Sequence, residues 1–154
     1  MKYRRLTKGE FEELHEEFIM FLSANTITGD DWKKIVSEDI ETADKLMDMF
    51  SDIAFEKVLS SAKYVERVSE REVMSARFDD AEAEMIILRS TGESVIPVNM
   101  PASEMKKALE SKAFELIKGS KKYRLEREEE MFQLLMQNAI ISDGTLFKQL
   151  KSLL

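Results

Sequence analysis

Asp79, Asp80, Glu82 and Glu84 place four carboxylates within six residues. Carboxylate oxygens are hard ligands, and three of them together suit Mg2+ or Ca2+. In a strand, Asp80, Glu82 and Glu84 fall on one face, because side chains alternate with period two. Nucleases that mount acidic groups on a hairpin commonly add a lysine two residues after an acidic ligand. Ile86 holds that place after Glu84, so the nuclease pattern breaks. Two readings stand: a divalent-metal site, or a solvated hairpin tip.

Glu12 and His15 form a Glu-x-x-His pair. Di-iron helical bundles use this spacing because both groups project from one helix face, but they need it twice. His15 is the only histidine of the chain, so the pair reads as a helix face in water. Lys118, Lys121, Lys122, Arg124 and Arg127 make a basic run with Tyr123 interleaved. Such a run suits an anion, RNA or an acidic protein. Its plain alternative is a set of solvated cations around a helix end. Lys2, Arg4, Arg5 and Lys8 form a second basic group, ahead of an acidic helix with which it can pair.

The remaining inventory excludes much chemistry. With no cysteine there is no disulfide scaffold, no Cys-based zinc site and no thiol nucleophile. No Gly-rich phosphate loop, nucleophile elbow, kinase motif or zincin motif occurs. Residues 1–100 carry 13 basic and 22 acidic groups, whereas residues 101–154 carry 10 and 8. That balance argues against a nonspecific nucleic-acid binder, which needs a basic face. No cofactor is expected. The longest early apolar run, Phe18 to Leu22, is too short for a signal-peptide core or a membrane span. A cytoplasmic, membrane-free setting is expected.

The elements that must position these groups follow from periodicity. The chain has 154 residues, 44% hydrophobic and 34% charged, with 5 Gly and 2 Pro, which suits one globular domain over 1–154. Thr7 and Glu10 form a capping box, and Phe11, Leu14, Phe18, Phe21 and Leu22 continue at helical spacing. The spacing predicts helices over about 8–24, 30–36 and 39–62. At Lys63 the period changes to two. A β meander of three or four strands is expected over about 64–98, with Met85-Ile86-Ile87-Leu88 as a central strand and Val95-Ile96-Pro97-Val98 as an edge. Helices are expected over about 101–118, 121–141 and 145–154, with Gly119 as the residue that ends the first of these. The fold class is therefore α+β: mainly helical, with terminal helices flanking a small antiparallel sheet.

Ten methionines are many for this length. Met fills irregular cores and also adaptable binding surfaces. The amphipathic segment 146–154 suits docking on its own chain or on another. Met131, Leu135, Leu146, Phe147 and Leu150 are the expected partner interface.

Met1 to Thr7, the helix from Phe11 to Leu22, and the stretch Phe50-Ser51-Asp52-Ile53-Ala54-Phe55-Glu56-Lys57-Val58-Leu59 resemble a family of small uncharacterised bacterial proteins. The likeness is strongest over residues 1–65. It implies a bacterial, cytoplasmic origin and supplies no catalytic motif. It also draws attention to Asp52 and Glu56, an i, i+4 acidic pair. If they face inward they need partners, which Arg4 or Arg5 could supply. The inventory favours a non-enzymatic interaction or regulatory protein, self-associating or bound to another protein. The alternatives are metal binding or metal-assisted catalysis at Asp79–Glu84, and an RNA or phosphate contact at Lys118–Arg127.

Overall fold

Thr7 Oγ1 accepts the Glu10 amide at 3.2 Å, and Glu10 returns the contact to the Thr7 amide at 2.9 Å. This reciprocal cap starts α1 (Lys8–Glu13) where the sequence places it. The computed structural model describes residues 1–154, which divide into two compact units, Met1–Val58 and Leu59–Leu154.

In the first unit the expected 8–24 helix is two helices. Leu14 leaves helical geometry, at φ −100° and ψ 24°, and α2 (His15–Ala24) follows. A second Thr-x-x-Asp box, Thr28 with Asp31, starts α3 (Gly29–Glu38). Then comes the 22-residue α4 (Ile40–Ser61), within which the unit boundary falls. Phe18 is the hub of the unit's aromatic packing. Its ring lies 5.0 Å from Phe50, 5.2 Å from Trp32 and 5.5 Å from Phe11, distances at which edge and offset contacts add to burial.

Residues 2–6 run along α4 and answer its acidic side. Asp44, Asp48, Asp52 and Glu56 recur every four residues, so like charges stack on one face. Arg5 pairs with Asp44 at 3.1 Å and with Asp48 at 2.7 Å. Asp52 accepts the Lys2 and Tyr3 amides at 2.8 and 2.9 Å. Glu56 takes the Lys2 ammonium at 3.2 Å and a short hydrogen bond from the Tyr3 hydroxyl. The partners of Asp52 and Glu56 are thus Lys2 and Tyr3, while Arg4 pairs with Glu10. Ser51, fully buried, accepts the Leu6 amide at 3.0 Å and donates to the Met47 carbonyl at 2.7 Å.

The second unit is built on a five-stranded antiparallel sheet, where the sequence predicts three or four strands. Its strands are β1 (Tyr64–Val68), β2 (Glu72–Phe78), β3 (Glu82–Ser90), β4 (Phe114–Lys122) and β5 (Ile140–Ser142), in the order β4-β3-β2-β1-β5. The helices are α5 (Ala102–Glu110), α6 (Arg127–Leu135) and α7 (Thr145–Lys151). Val73, Ile86, Leu88 and Phe114 form one apolar face and pack with Met105 of α5 and with Phe147 and Leu150 of α7. On the other side, α6 lies against β1 and β5.

Three sequence expectations change here. The 101–118 helix ends at Glu110, and β4 occupies residues expected to close one helix and open the next. A central strand that is apolar on both faces needs two neighbours. β2 supplies one, and β4 supplies the other by pairing Phe114 with Ser90 and Leu116 with Leu88. The expected 121–141 helix shrinks to α6. Asn138, at φ 68°, turns the chain into β5, which pairs with β1. Val95–Val98 is a loop rather than a strand. Its amide contact is Ile96 N to the Glu70 carbonyl at 2.7 Å, and the Ile96 side chain is buried in the core.

Candidate interaction groove

Arg77 and Lys151 meet two of the four hairpin carboxylates. Asp79 accepts from Arg77 at 3.1 Å, and Glu84 accepts from Arg77 at 3.2 Å and from Lys151 at 3.0 Å. Asp80 and Glu82 stand exposed at the tip. A cation would have to displace a guanidinium and an ammonium to gather more than these two.

The basic run divides in the same way. Arg127 is a structural clamp. It donates to the carbonyls of Leu59 and Phe78, each at 3.1 Å, and of Ala62, and it pairs with Glu128 at 3.2 Å. The Leu59 bond meets the last turn of α4, whose final carbonyls have no helical partner, and the Ala62 and Phe78 bonds tie the residue after that helix to the end of β2. Lys121 pairs with Glu130 at 2.7 Å. Lys118, Lys122 and Arg124 are exposed and their side chains form no ion pair.

Glu130 is 7% exposed. Besides Lys121 it accepts the amides of Arg124 and Leu125 at 2.8 and 3.2 Å. The Lys121 hydrogen bond, helped by the two amides, holds its carboxyl below the usual glutamate range against the cost of burial. One carboxylate therefore fastens β4, the 124–125 turn and α6 together. Tyr123 completes this corner. Its ring stacks on Phe78 at 5.9 Å, and its hydroxyl donates to the Asp79 carbonyl at 2.6 Å. Burial pushes that phenol up to about 12.

Between this corner and the sheet lies a groove of about 330 Å3, lined by Phe78, Ala83, Met85, Gly119, Ser120, Lys121, Tyr123, Glu130, Gln133, Leu134 and Gln137. Its floor is apolar: Phe78, Ala83, Met85 and Leu134. Gly119 is paired with Met85 in the middle of β4, not at a helix end. A Cβ on Gly119 would meet nothing within 4 Å, so the groove is open at that lip. A glycine inside a strand commonly marks close approach by a ligand or another backbone.

The chain belongs to DUF6495, a family of unknown function, which it matches over residues 1–154. No curated protein and no solved structure matches it.

The residues expected as a partner interface lie mostly in the interior. Met131, Phe147 and Leu150 are 1% exposed or less and belong to this unit's own interior. Leu146 packs against the same core and Leu135 is half-buried. Apolar residues that do face outward near this end include Val68, Met136, Ile140, Ile141 and Leu154. His15 and Glu12 sit at the rim of a second, more open recess of about 490 Å3 in the first unit, floored by Phe11, Phe18, Trp32 and Met47. The one signal for the groove beside β4 in the sequence was Gly119 among β-compatible residues, and helical spacing of Ala113, Leu116 and Ile117 concealed it.

Proposed function

We propose that this protein is a non-enzymatic interaction module that recognises a partner at the β4 edge and the groove beside it. The observation that carries the reading is Gly119, an open lip in a strand at the end of the sheet, above an apolar floor. Of the charged residues singled out in the sequence, Asp79 and Glu84 are held by Arg77 and Lys151, and Lys121 is held by Glu130, which leaves Asp80 and Glu82 as the unengaged carboxylates of the hairpin. The resemblance noted above carries a bacterial, cytoplasmic setting into the proposal.

The test is selection of displayed random peptides on the full chain, followed by counterselection on Gly119→Trp. An indole at this position projects into the groove mouth without meeting protein at its Cβ. Enriched peptides that bind the native chain and not Gly119→Trp support the reading. Enriched peptides indifferent to Gly119→Trp, or no enrichment at all, reject it.

Self-association is the second reading, favoured by the apolar opposite edge. Ile140 is 60% exposed and Ile141 38%, on a strand that ends the sheet. Exposed apolar edge strands are templates for pairing. Light scattering across a concentration series should give a dimer that Ile140→Lys dissociates; a monomer at high micromolar concentration rejects it.

A further inference from the structure

We infer that the partner is an extended segment, acidic on one face and apolar on the other, that adds to the sheet as a sixth strand along β4. The inference rests on the reading of β4 and its groove as the recognition surface, and gives that surface a ligand class.

β4 is nine residues long, ends the sheet, and is exposed from Ile117 to Lys122. The N–H and C=O groups on its outer side therefore meet no strand, which is the condition for strand addition. Alternation then determines what an incoming strand must carry. Lys118, Ser120 and Lys122 point to one face of the sheet, and Gly119 and Lys121 to the other. On the groove face Glu130 neutralises Lys121, so that face offers empty space over Gly119 and an apolar floor. On the opposite face Lys118 and Lys122 form no ion pair; Glu82 stands opposite Lys122 in the β3–β4 register, whereas Lys118 faces Ile86 and has no acid directly opposite. Side chains directly opposite in adjacent strands stand about 4.5–5.5 Å apart at Cβ, near enough for ion pairs. The complementary strand therefore alternates: apolar residues into the groove, carboxylates toward Lys118 and Lys122.

A second copy of this chain fits the edge poorly. β4 paired with β4 sets lysines against lysines, with Glu115 its only acid, and edge lysines are a common device against such pairing. They do not oppose an acidic strand. RNA is also disfavoured, because two of the five cations in the run are engaged and the chain carries a net charge of −7.

The experiment is fluorescence anisotropy on the full chain with a labelled eight-residue peptide that alternates Glu and Leu. Its controls are a peptide of the same composition in two blocks and one with N-methylated alternate amides. Binding of the alternating peptide alone is expected, weakening with added salt. Gly119→Trp should weaken it by at least about tenfold, as loss of a central contact does, and Lys118→Glu with Lys122→Glu by a similar factor. Unchanged melting of both variants confirms that they fold. Equal binding of the block or N-methylated peptide overturns strand addition, and indifference to the lysine reversal overturns the acidic class. If display yields Gly119→Trp-sensitive peptides that are not acidic, the inference falls and the groove stands. If no selected peptide is sensitive to that change, both fall.

Discussion

Removal of the Glu130 carboxylate is the sharpest test of how the groove is built. Glu130→Ala deletes three hydrogen bonds: Lys121 at 2.7 Å, and the Arg124 and Leu125 amides at 2.8 and 3.2 Å. A hydrogen bond to a charged group is worth roughly 1.5–3 kcal/mol. The Lys121 side chain is 57% exposed, so its pair counts for no more than about 1 kcal/mol. The two amides belong to exposed residues and partly regain water. The net loss is about 2–4 kcal/mol. At roughly 2–4 °C per kcal/mol for a chain of this size, the Tm falls by about 5–15 °C. Glu130→Gln keeps a neutral acceptor and loses about half as much. The pH dependence has a definite sign. Folding depresses the Glu130 pKa, so its stabilisation is full above the unfolded value of about 4.3 and is lost as pH falls through the folded one. Melting of the native chain and Glu130→Gln from pH 7 down to 3 should show a gap that narrows below pH 4. A Glu130→Ala Tm within about 1 °C of native, or a gap constant with pH, refutes the reasoning.

Other expectations concern the frame and the discarded chemistry. Gly144 has φ +88°, and a Cβ there would come within 2.5 Å of the Tyr64 ring, so Gly144→Ala should cost at least about 2 kcal/mol in chemical denaturation. Ser51→Ala orphans the buried Leu6 amide and should cost about 1–3 kcal/mol, whereas Ser51→Thr, which keeps the hydroxyl, tests whether space or bonding dominates. Arg127→Lys cannot span the Leu59, Ala62 and Phe78 carbonyls together, and should expose residues 59–62 to faster amide exchange. Millimolar Mg2+, Mn2+ or Ca2+ should leave the Tm unchanged, since Arg77 and Lys151 hold Asp79 and Glu84; a rise restores the metal reading.

The helices of the first unit were legible because two independent signals agreed there. Thr7 with Glu10 marked the first start and apolar stripes at helical spacing followed; the Thr28–Asp31 box that starts α3 emerged only with the structure. β4 was not legible because Ala113, Leu116 and Ile117 satisfy helical spacing while Phe114 and Leu116 satisfy a strand. Pairing decided between them: β3 was read correctly as central, but its second neighbour was expected to be the Val95–Val98 edge, a place that β4 takes in the structure. The charged clusters were visible as clusters, but their states were not. Glu130 and Lys121 are nine residues apart, and Glu84 and Lys151 are 67 apart, so only the fold reveals that they neutralise each other. The same holds for Asp52 and Glu56, whose partners proved to be Lys2 and Tyr3.

The central claim is that the outer edge of β4 is the recognition surface. Amide hydrogen exchange, followed residue by residue with and without the alternating acidic peptide, addresses it directly. Alternate amides between Ile117 and Lys122 should slow by about tenfold or more on binding, with β5 and the first unit unchanged. Protection confined to β5 or to the recess around His15, with β4 still exchanging freely, would contradict the account.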